Sequence, residues 1–257
     1  MEVSAYSHIG LVRKSNEDAY CVGELGSPIP AVFAAVADGM GGHQGGALAS
    51  KIAIATVESV VRSAWGSLAT PEEAATLLKR AAVTANENVL RESIKHFGSA
   101  CMGTTLTAAL AVGSHVYLVH AGDSRAYIVG RDGVRQVTFD HSLVGEMVRN
   151  GDLTESEAMT HPNRNILTNA LGAAGGARFD TQTICVEDGD VLILCTDGLT
   201  NLVGRDEIAD MARTVPFESL ARVLVEAANA RGGYDNATVV ALKFGVVAKE
   251  AGGGGCR

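Results

Sequence analysis

"AVFAAVADGMGGHQGG", residues 31–46, decides how this chain is read. A run of small apolar residues ends in one carboxylate, Asp38, and glycines then fall at 39, 41, 42, 45 and 46. A short continuous apolar run bounded by such a cluster predicts a buried strand. The glycines predict a loop whose backbone bends sharply or closely approaches a neighbour. A buried strand thus delivers a single negative charge into a loop with almost no side chains.

The same pattern recurs. "VYLVHAGDSR" carries an apolar run into Asp123, "VLILCTDGL" carries another into Asp197, and "YDNATVVALKF" sets Asp235 just ahead of one. A further acidic pair, Glu17 and Asp18, stands in "RKSNEDAY". Aspartate is common in turns, and any one of these alone is equally well a turn residue. Four repeats of strand, Asp and small residue are hard to obtain from turn preference. Neighbouring strands that gather these carboxylates at one edge would create mutual repulsion, which a cation removes. An oxygen-only ligand set favours hard ions such as Mg²⁺ or Mn²⁺ over zinc. Gly39 would then leave its carbonyl open to a metal. Arg13, beside the early acidic pair, suits a phosphate; the plain alternative is a surface pair with Glu17 or Asp18. His43 in the glycine run is by itself a loop hydrogen-bonder.

The bulk numbers agree with a large folded domain. The chain has 257 residues, 47% hydrophobic and 19% charged, with a formal charge of −8. That balance argues against nucleic acid as a partner, since phosphate-backbone binding needs clustered Lys and Arg. Five scattered cysteines without a CxxC pair predict neither a zinc site nor a disulfide framework, and fit reduced thiols in a cytoplasmic protein. No signal peptide and no apolar run of membrane-spanning length is expected. HExxH, GxxxxGK[ST], GxSxG and GxGxxG are absent.

Strand-like segments begin at "EVSAYSHIG" and end at "ATVVALKFG". The stretch from Leu110 to Thr138 predicts an antiparallel meander turning at Gly113-Ser114, Gly122-Asp123 and Asp132-Gly133. Residues 46–65 and 70–97 predict long helices, the second with Thr70 as N-cap and Pro71 at N1. Two shorter helices fit 205–214 and 216–232. Strand-rich stretches interrupted by paired helices predict an α+β fold. Residues 140–175, polar and with one short helix signal, predict an excursion beside a site. The glycine-rich end, 246–257, predicts a flexible tail.

In order, "RKSNEDA", "VADGMGGHQGG", "GTTLTAAL", "HAGDSRAY", "CTDGLTN" and "YDNATVV" resemble the metal-dependent Ser/Thr protein phosphatases of type 2C, in their compact bacterial branch. The resemblance spans about residues 1–245. It implies a four-layer α-β-β-α sandwich, two antiparallel sheets flanked by helix pairs, with a two-metal centre of Mn²⁺ or Mg²⁺ at one edge. It implies that Asp38 bridges both metals, that the Gly39 carbonyl serves the second, and that Asp197 and Asp235 serve the first. Asp123, with Asp197, corresponds to a third, weaker ion. Glu17 and Asp18 correspond to acids that hold metal-bound water, Arg13 to the phosphate clamp, and 140–175 to the flap. Two positions depart from the family pattern. Met40 stands where many eukaryotic members carry a histidine proposed as general acid, which leaves His43 as a substitute. Asn169 stands where many bacterial relatives carry arginine.

The implied activity is hydrolysis of phosphoserine or phosphothreonine on proteins by a hydroxide shared between two cations, by a monomer that opposes Ser/Thr kinases, a kinase among its substrates. The alternatives are a narrow regulator of stress or sporulation type and a non-catalytic binding module.

Overall fold

The computed structural model describes residues 1–41 and 45–245. His43 and the tail 246–257 therefore lie outside the described residues. Among the described residues, eleven strands form two antiparallel sheets. In the first, β1 (Glu2–His8), β11 (Ala237–Lys243), β10 (Val191–Cys195), β7 (Arg125–Gly130) and β8 (Gly133–Gln136) lie side by side in that order. In the second the order is β2 (Asp18–Leu25), β3 (Ala31–Met40), β5 (Leu106–Val112), β6 (His115–Ala121) and β9 (Asp180–Cys185), with the short β4 (Gly103–Thr104) paired to the end of β3.

The opening stretch shows why the layers number four. Side chains alternate along a strand, so successive residues of β3 serve different cores. Ala31, Phe33, Ala35 and Ala37 pack under the long helices α1 (Gly45–Trp65) and α2 (Glu73–Phe97). Val32, Ala34 and Val36 pack between the sheets, against Leu192, Leu194, Val240 and Leu242 of the first sheet. On that sheet's far side, Ile193, Cys195, Val239 and Ala241 pack under α6 (Arg205–Thr214) and α7 (Leu220–Ala230). A strand sandwiched on both faces needs no polar residue, which is why 31–37 reads as an unbroken apolar run. The alanine-rich stripe of α1, at Ala49, Ala53 and Val57, lets that helix lie close to the sheet.

Several expectations are corrected. The predicted meander breaks at Gly122-Asp123: β6 belongs to one sheet and β7 to the other, so this turn crosses between sheets. The following hairpin turns at Arg131-Asp132, because Gly130 pairs with Gly133. β2 carries mixed exposure along an edge and gives no clean alternation, so it escapes a reading by pattern. Asp38 does not lie beyond its strand; β3 continues through it to Met40. Thr70 does not cap α2: the helix starts at Glu73, and the Thr70 carbonyl, not its hydroxyl, accepts from Glu73 N at 3.3 Å. The flap holds two short helices rather than one, α3 (Leu143–Asn150) and α4 (Glu155–Thr160), capped by Ser142 and Thr154. Among the described residues Cys21, Cys101 and Cys195 are free thiols.

Candidate metal centre and active site

The sandwich brings five aspartates to one end by five routes. Asp38 lies in β3 and Asp18 opens β2, both in the second sheet. Asp197 follows β10 at the start of the short helix α5 (Asp197–Thr200), and Asp235 precedes β11, both in the first sheet. Asp123 sits in the crossover between the sheets. Arg13, Glu17, Asp38, Gly39, Asp123, Asp197 and Asp235 all line one cleft of about 1150 Å³. Asp18 lies behind it, buried.

The cradle around Asp38 is tight. Its N–H donates to Thr105 Oγ1 at 2.9 Å, and its carbonyl accepts from Thr105 N at 2.9 Å and Thr104 Oγ1 at 2.8 Å. Thr105 Oγ1 in turn meets Ser124 Oγ at 2.7 Å, which couples Asp38 to the neighbour of Asp123. Gly39 has a structural reason beyond access for a ligand. A Cβ there would collide with the Gly46 carbonyl at the start of α1 and stand 2.6 Å from the Glu17 carbonyl. Only glycine lets the strand, α1 and the Glu17 loop meet so closely.

Sequence reasoning missed the residues that hold the acids in place. Asp18 Oδ2 accepts from Thr238 Oγ1 at 2.6 Å and from Thr196 Oγ1 at 2.8 Å. Asn236 donates to the Ile9 and Ser15 carbonyls and accepts from Glu17 N at 2.8 Å, clamping the loop that carries Arg13 and Glu17. Asn201 donates to Asp197 Oδ2 at 3.0 Å. The only trace of these in the sequence is that each threonine or asparagine lies within four residues of an aspartate. Met159, Thr160 and Arg164 of the flap also line the cleft.

Arg13 pairs with neither acid named for it in the sequence. Its Nη2 donates to Asp235 Oδ2 at 2.6 Å, half exposed to solvent. Asn169, which stands where many bacterial relatives carry arginine, is held within the protein. It is buried, donates to the Arg178 carbonyl and to His141 Nδ1, both at 2.8 Å, and accepts from Arg178 N at 2.9 Å.

The acids are costly as they stand. Burial raises the Asp38 carboxyl well above the usual carboxylate range, and Asp18, Asp197 and Asp123 raise it further. Burial does the same to Asp123, helped by Asp197. Asp197 is raised by burial, and Asp18 is pushed up to about 7 chiefly by burial, against the pull of its two threonines. The Asp38 and Asp197 carboxyls each act to shift the other, Asp197 adding its charge to the burial that raises Asp38. Asp18 Oδ1 and Asp197 Oδ1 are buried with no hydrogen-bond partner. Among the described residues no three acidic, His or Cys side chains close to the spacing of a metal cage, and Asp235 is turned to Arg13. Orphaned carboxylate oxygens beside a carboxylate-lined cleft nevertheless fit hard divalent cations, since these would offset the crowded charge and replace the missing donors.

The molecule is thus a two-sheet sandwich flanked by helices, with a carboxylate-lined cleft at one end. A sequence profile of the family described as Protein phosphatase 2C matches residues 12–238, and the chain belongs to this family. It is 37% identical over 244 residues to the serine/threonine phosphatase stp of Listeria innocua, covering 93% of this chain and 94% of that one. The structure of the serine/threonine phosphatase PstP/Ppp of Mycobacterium tuberculosis superposes with a TM-score of 0.84 at 32% identity, over 95% of this chain and 99% of the other. The catalytic domain of PstP in complex with 2 manganese ions superposes with a TM-score of 0.79 at 31% identity, over 93% and 96%. The chain is thus a serine/threonine protein phosphatase, acting on phosphorylated proteins. No helix among the described residues is long and apolar enough to cross a membrane.

Proposed function

We propose that this phosphatase works with two divalent cations, Mn²⁺ or Mg²⁺, held by Asp38, the Gly39 carbonyl, Asp197 and Asp235, with a third, weaker ion at Asp123. The observation that carries this is the pair of buried, unpartnered oxygens, Asp18 Oδ1 and Asp197 Oδ1, beside carboxyls whose pKa values burial has raised. Such cations, when bound, lower the pKa of water and offset phosphoryl charge.

The chain's own residues do the rest. Arg13 holds the substrate phosphate; its hold on Asp235 is exchanged for one on the incoming phosphoryl oxygens, since Asp235 Oδ2 cannot serve a cation and Arg13 equally. Asp38, fixed by Thr104 and Thr105 through its backbone, keeps its carboxylate in place through turnover. Asp18, oriented by Thr196 and Thr238, and Glu17 orient water. Hydrolysis breaks the bond between phosphorus and the seryl or threonyl oxygen and forms one to water oxygen. The departing oxygen takes a proton, and His43 is the candidate donor because Met40 has none to give.

The activity opposes Ser/Thr kinases as a cytoplasmic monomer, a kinase being among its substrates. Hydrolysis of a phosphoserine peptide in a metal series tests the reading. Activity should appear with Mn²⁺ or Mg²⁺, vanish in EDTA and return on adding metal. Full turnover in EDTA would overturn it.

A further inference from the structure

A second cavity, of about 570 Å³, opens beside the acidic cleft, between the flap helices and the β7–β8 edge of the first sheet. It is continuous with the cleft: Asp123, Met159, Arg164 and Asn165 line both. Its wall carries five arginines, Arg125, Arg135, Arg149, Arg164 and Arg205. That concentration is unexpected in a chain with a formal charge of −8.

Two of the five are engaged. Arg125 forks onto Asp140, with Nη2 to Oδ2 at 2.7 Å and Nε to Oδ1 at 3.0 Å, and forms a neutral floor. Arg205 faces Glu155 at 3.6 Å and Asp206 at 3.8 Å, in exposed pairs. Arg135, Arg149 and Arg164 have no acidic partner among the described residues. They come from three separate elements: β8, α3 and the loop after α4. Arg149 lies over the Phe139 ring, 4.9 Å from its centroid, and that ring is 57% exposed at the cavity. Of the lining acids, Asp140 and Glu155 are already paired, and Asp123 and Asp197 belong to the cation site. The cavity therefore holds an excess of guanidinium charge that no acidic side chain among the described residues meets. Guanidinium groups bind carboxylate and phosphate in forked geometry, and a walled cavity strengthens that attraction.

We propose that this cavity is a second anion subsite. It takes an acidic side chain, carboxylate or phosphate, from the same polypeptide whose phosphoserine or phosphothreonine occupies the cleft. Arg164, at the junction, faces both groups. The substrate class is then phosphoproteins with an acidic or second phosphorylated residue near the target. The inference rests on the phosphatase reading above.

The test uses the full chain with Mn²⁺ and four substrates: p-nitrophenyl phosphate, a phosphoserine peptide with neutral flanks, the same peptide with glutamate flanks, and a doubly phosphorylated version. The wild-type protein should favour an anionic peptide over the neutral one by about tenfold in kcat/KM, carried mainly by KM and shrinking with added salt. The double variant Arg135→Gln/Arg149→Gln should bring the peptides to parity and leave p-nitrophenyl phosphate and the neutral peptide unchanged. A preference for both anionic peptides assigns the subsite to anions in general; a preference for the doubly phosphorylated one assigns it to phosphate. No preference in the wild type, or an equal loss on all substrates in the variant, overturns the subsite while leaving the phosphatase reading intact. No hydrolysis of any substrate overturns both.

Discussion

Asp18 and Asp38 stand directly opposite each other in the antiparallel register of β2 and β3. Facing positions in such a pair lie close, and like charges there are destabilising. The charge of Asp197, from the other sheet, also raises the Asp38 carboxyl, so carboxylates of both sheets crowd this end of the sandwich. This end of the molecule is organised around something positive.

The metal-free chain should show this in its response to acid. The Asp18 pKa is raised from 3.8 to about 7. The folded chain therefore keeps a proton that the unfolded chain gives up, and the folded state loses relative stability as pH rises through that window. Asp38, Asp123 and Asp197 shift the same way. Protons and cations compete for these carboxylates. The rise in Tm conferred by Mn²⁺ over EDTA should shrink as pH falls from about 7 toward 3.8. A metal-induced rise independent of pH would contradict this.

Arg13→Ala should raise KM and lower kcat/KM by about tenfold or more, as loss of a phosphate contact does. Metal affinity should hold, since the substitution frees Asp235. Collapse of metal affinity with KM unchanged would make Arg13 structural. Steady-state kinetics and metal titration on one preparation decide between them.

Asp123→Asn should keep the tight metal sites and lose most turnover. Asp123 reaches the cleft from the crossover between sheets, apart from the β3 and β10 ends that carry Asp38 and Asp197. Calorimetric titration that shows loss of tight uptake would move Asp123 into the main centre. Full turnover would reduce it to a turn residue.

His120 predicts a separate pH effect. Its Nε2 meets the Phe139 carbonyl at 3.0 Å, so that nitrogen carries the proton, and Nδ1 accepts from Thr107 Oγ1 at 2.9 Å. Burial, and then His141 with its ring centroid 4.9 Å away, lower its pKa from 6.5 to about 4, against the pull of Asp140 and Asp180. The unfolded chain takes up a proton first as pH falls. Stability from the neutral ring is full above 6.5 and is lost on the way down to about 4. The loss is about 3 kcal/mol at most. With metal bound, denaturant unfolding of the wild type should lose stability over that window faster than His120→Gln does. Parallel profiles would contradict the assignment.

Much of this was legible because apolar runs and turn residues are local. The 31–37 run, the Asp-Gly pairs and the helices 205–214 and 216–232 could be read in place. What was not legible depends on where distant segments meet. The Gly122-Asp123 turn looks like a hairpin, and only the packing of two sheets makes it a crossover. Thr196 and Thr238 are ordinary strand residues until Asp18, far away in sequence, is brought between them. Asn169 reads as a lost arginine, but its work is to tie the end of the flap to His141 and Arg178. The roles at the metal centre came from resemblance; spacing alone left ordinary turn chemistry open for each aspartate.

The central claim is that Asp38 joins the cation sites. Calorimetric Mn²⁺ titration of the wild-type chain and of Asp38→Asn tests it most directly. The strand 31–37 is held by apolar packing on both faces, so the variant should fold, with circular dichroism unchanged. The wild type should take up two ions tightly. The variant should lose tight uptake of both, by about a hundredfold or more in affinity, beyond the usual effect of altering an outer-shell partner. Wild-type uptake of two ions by folded Asp38→Asn would contradict the account.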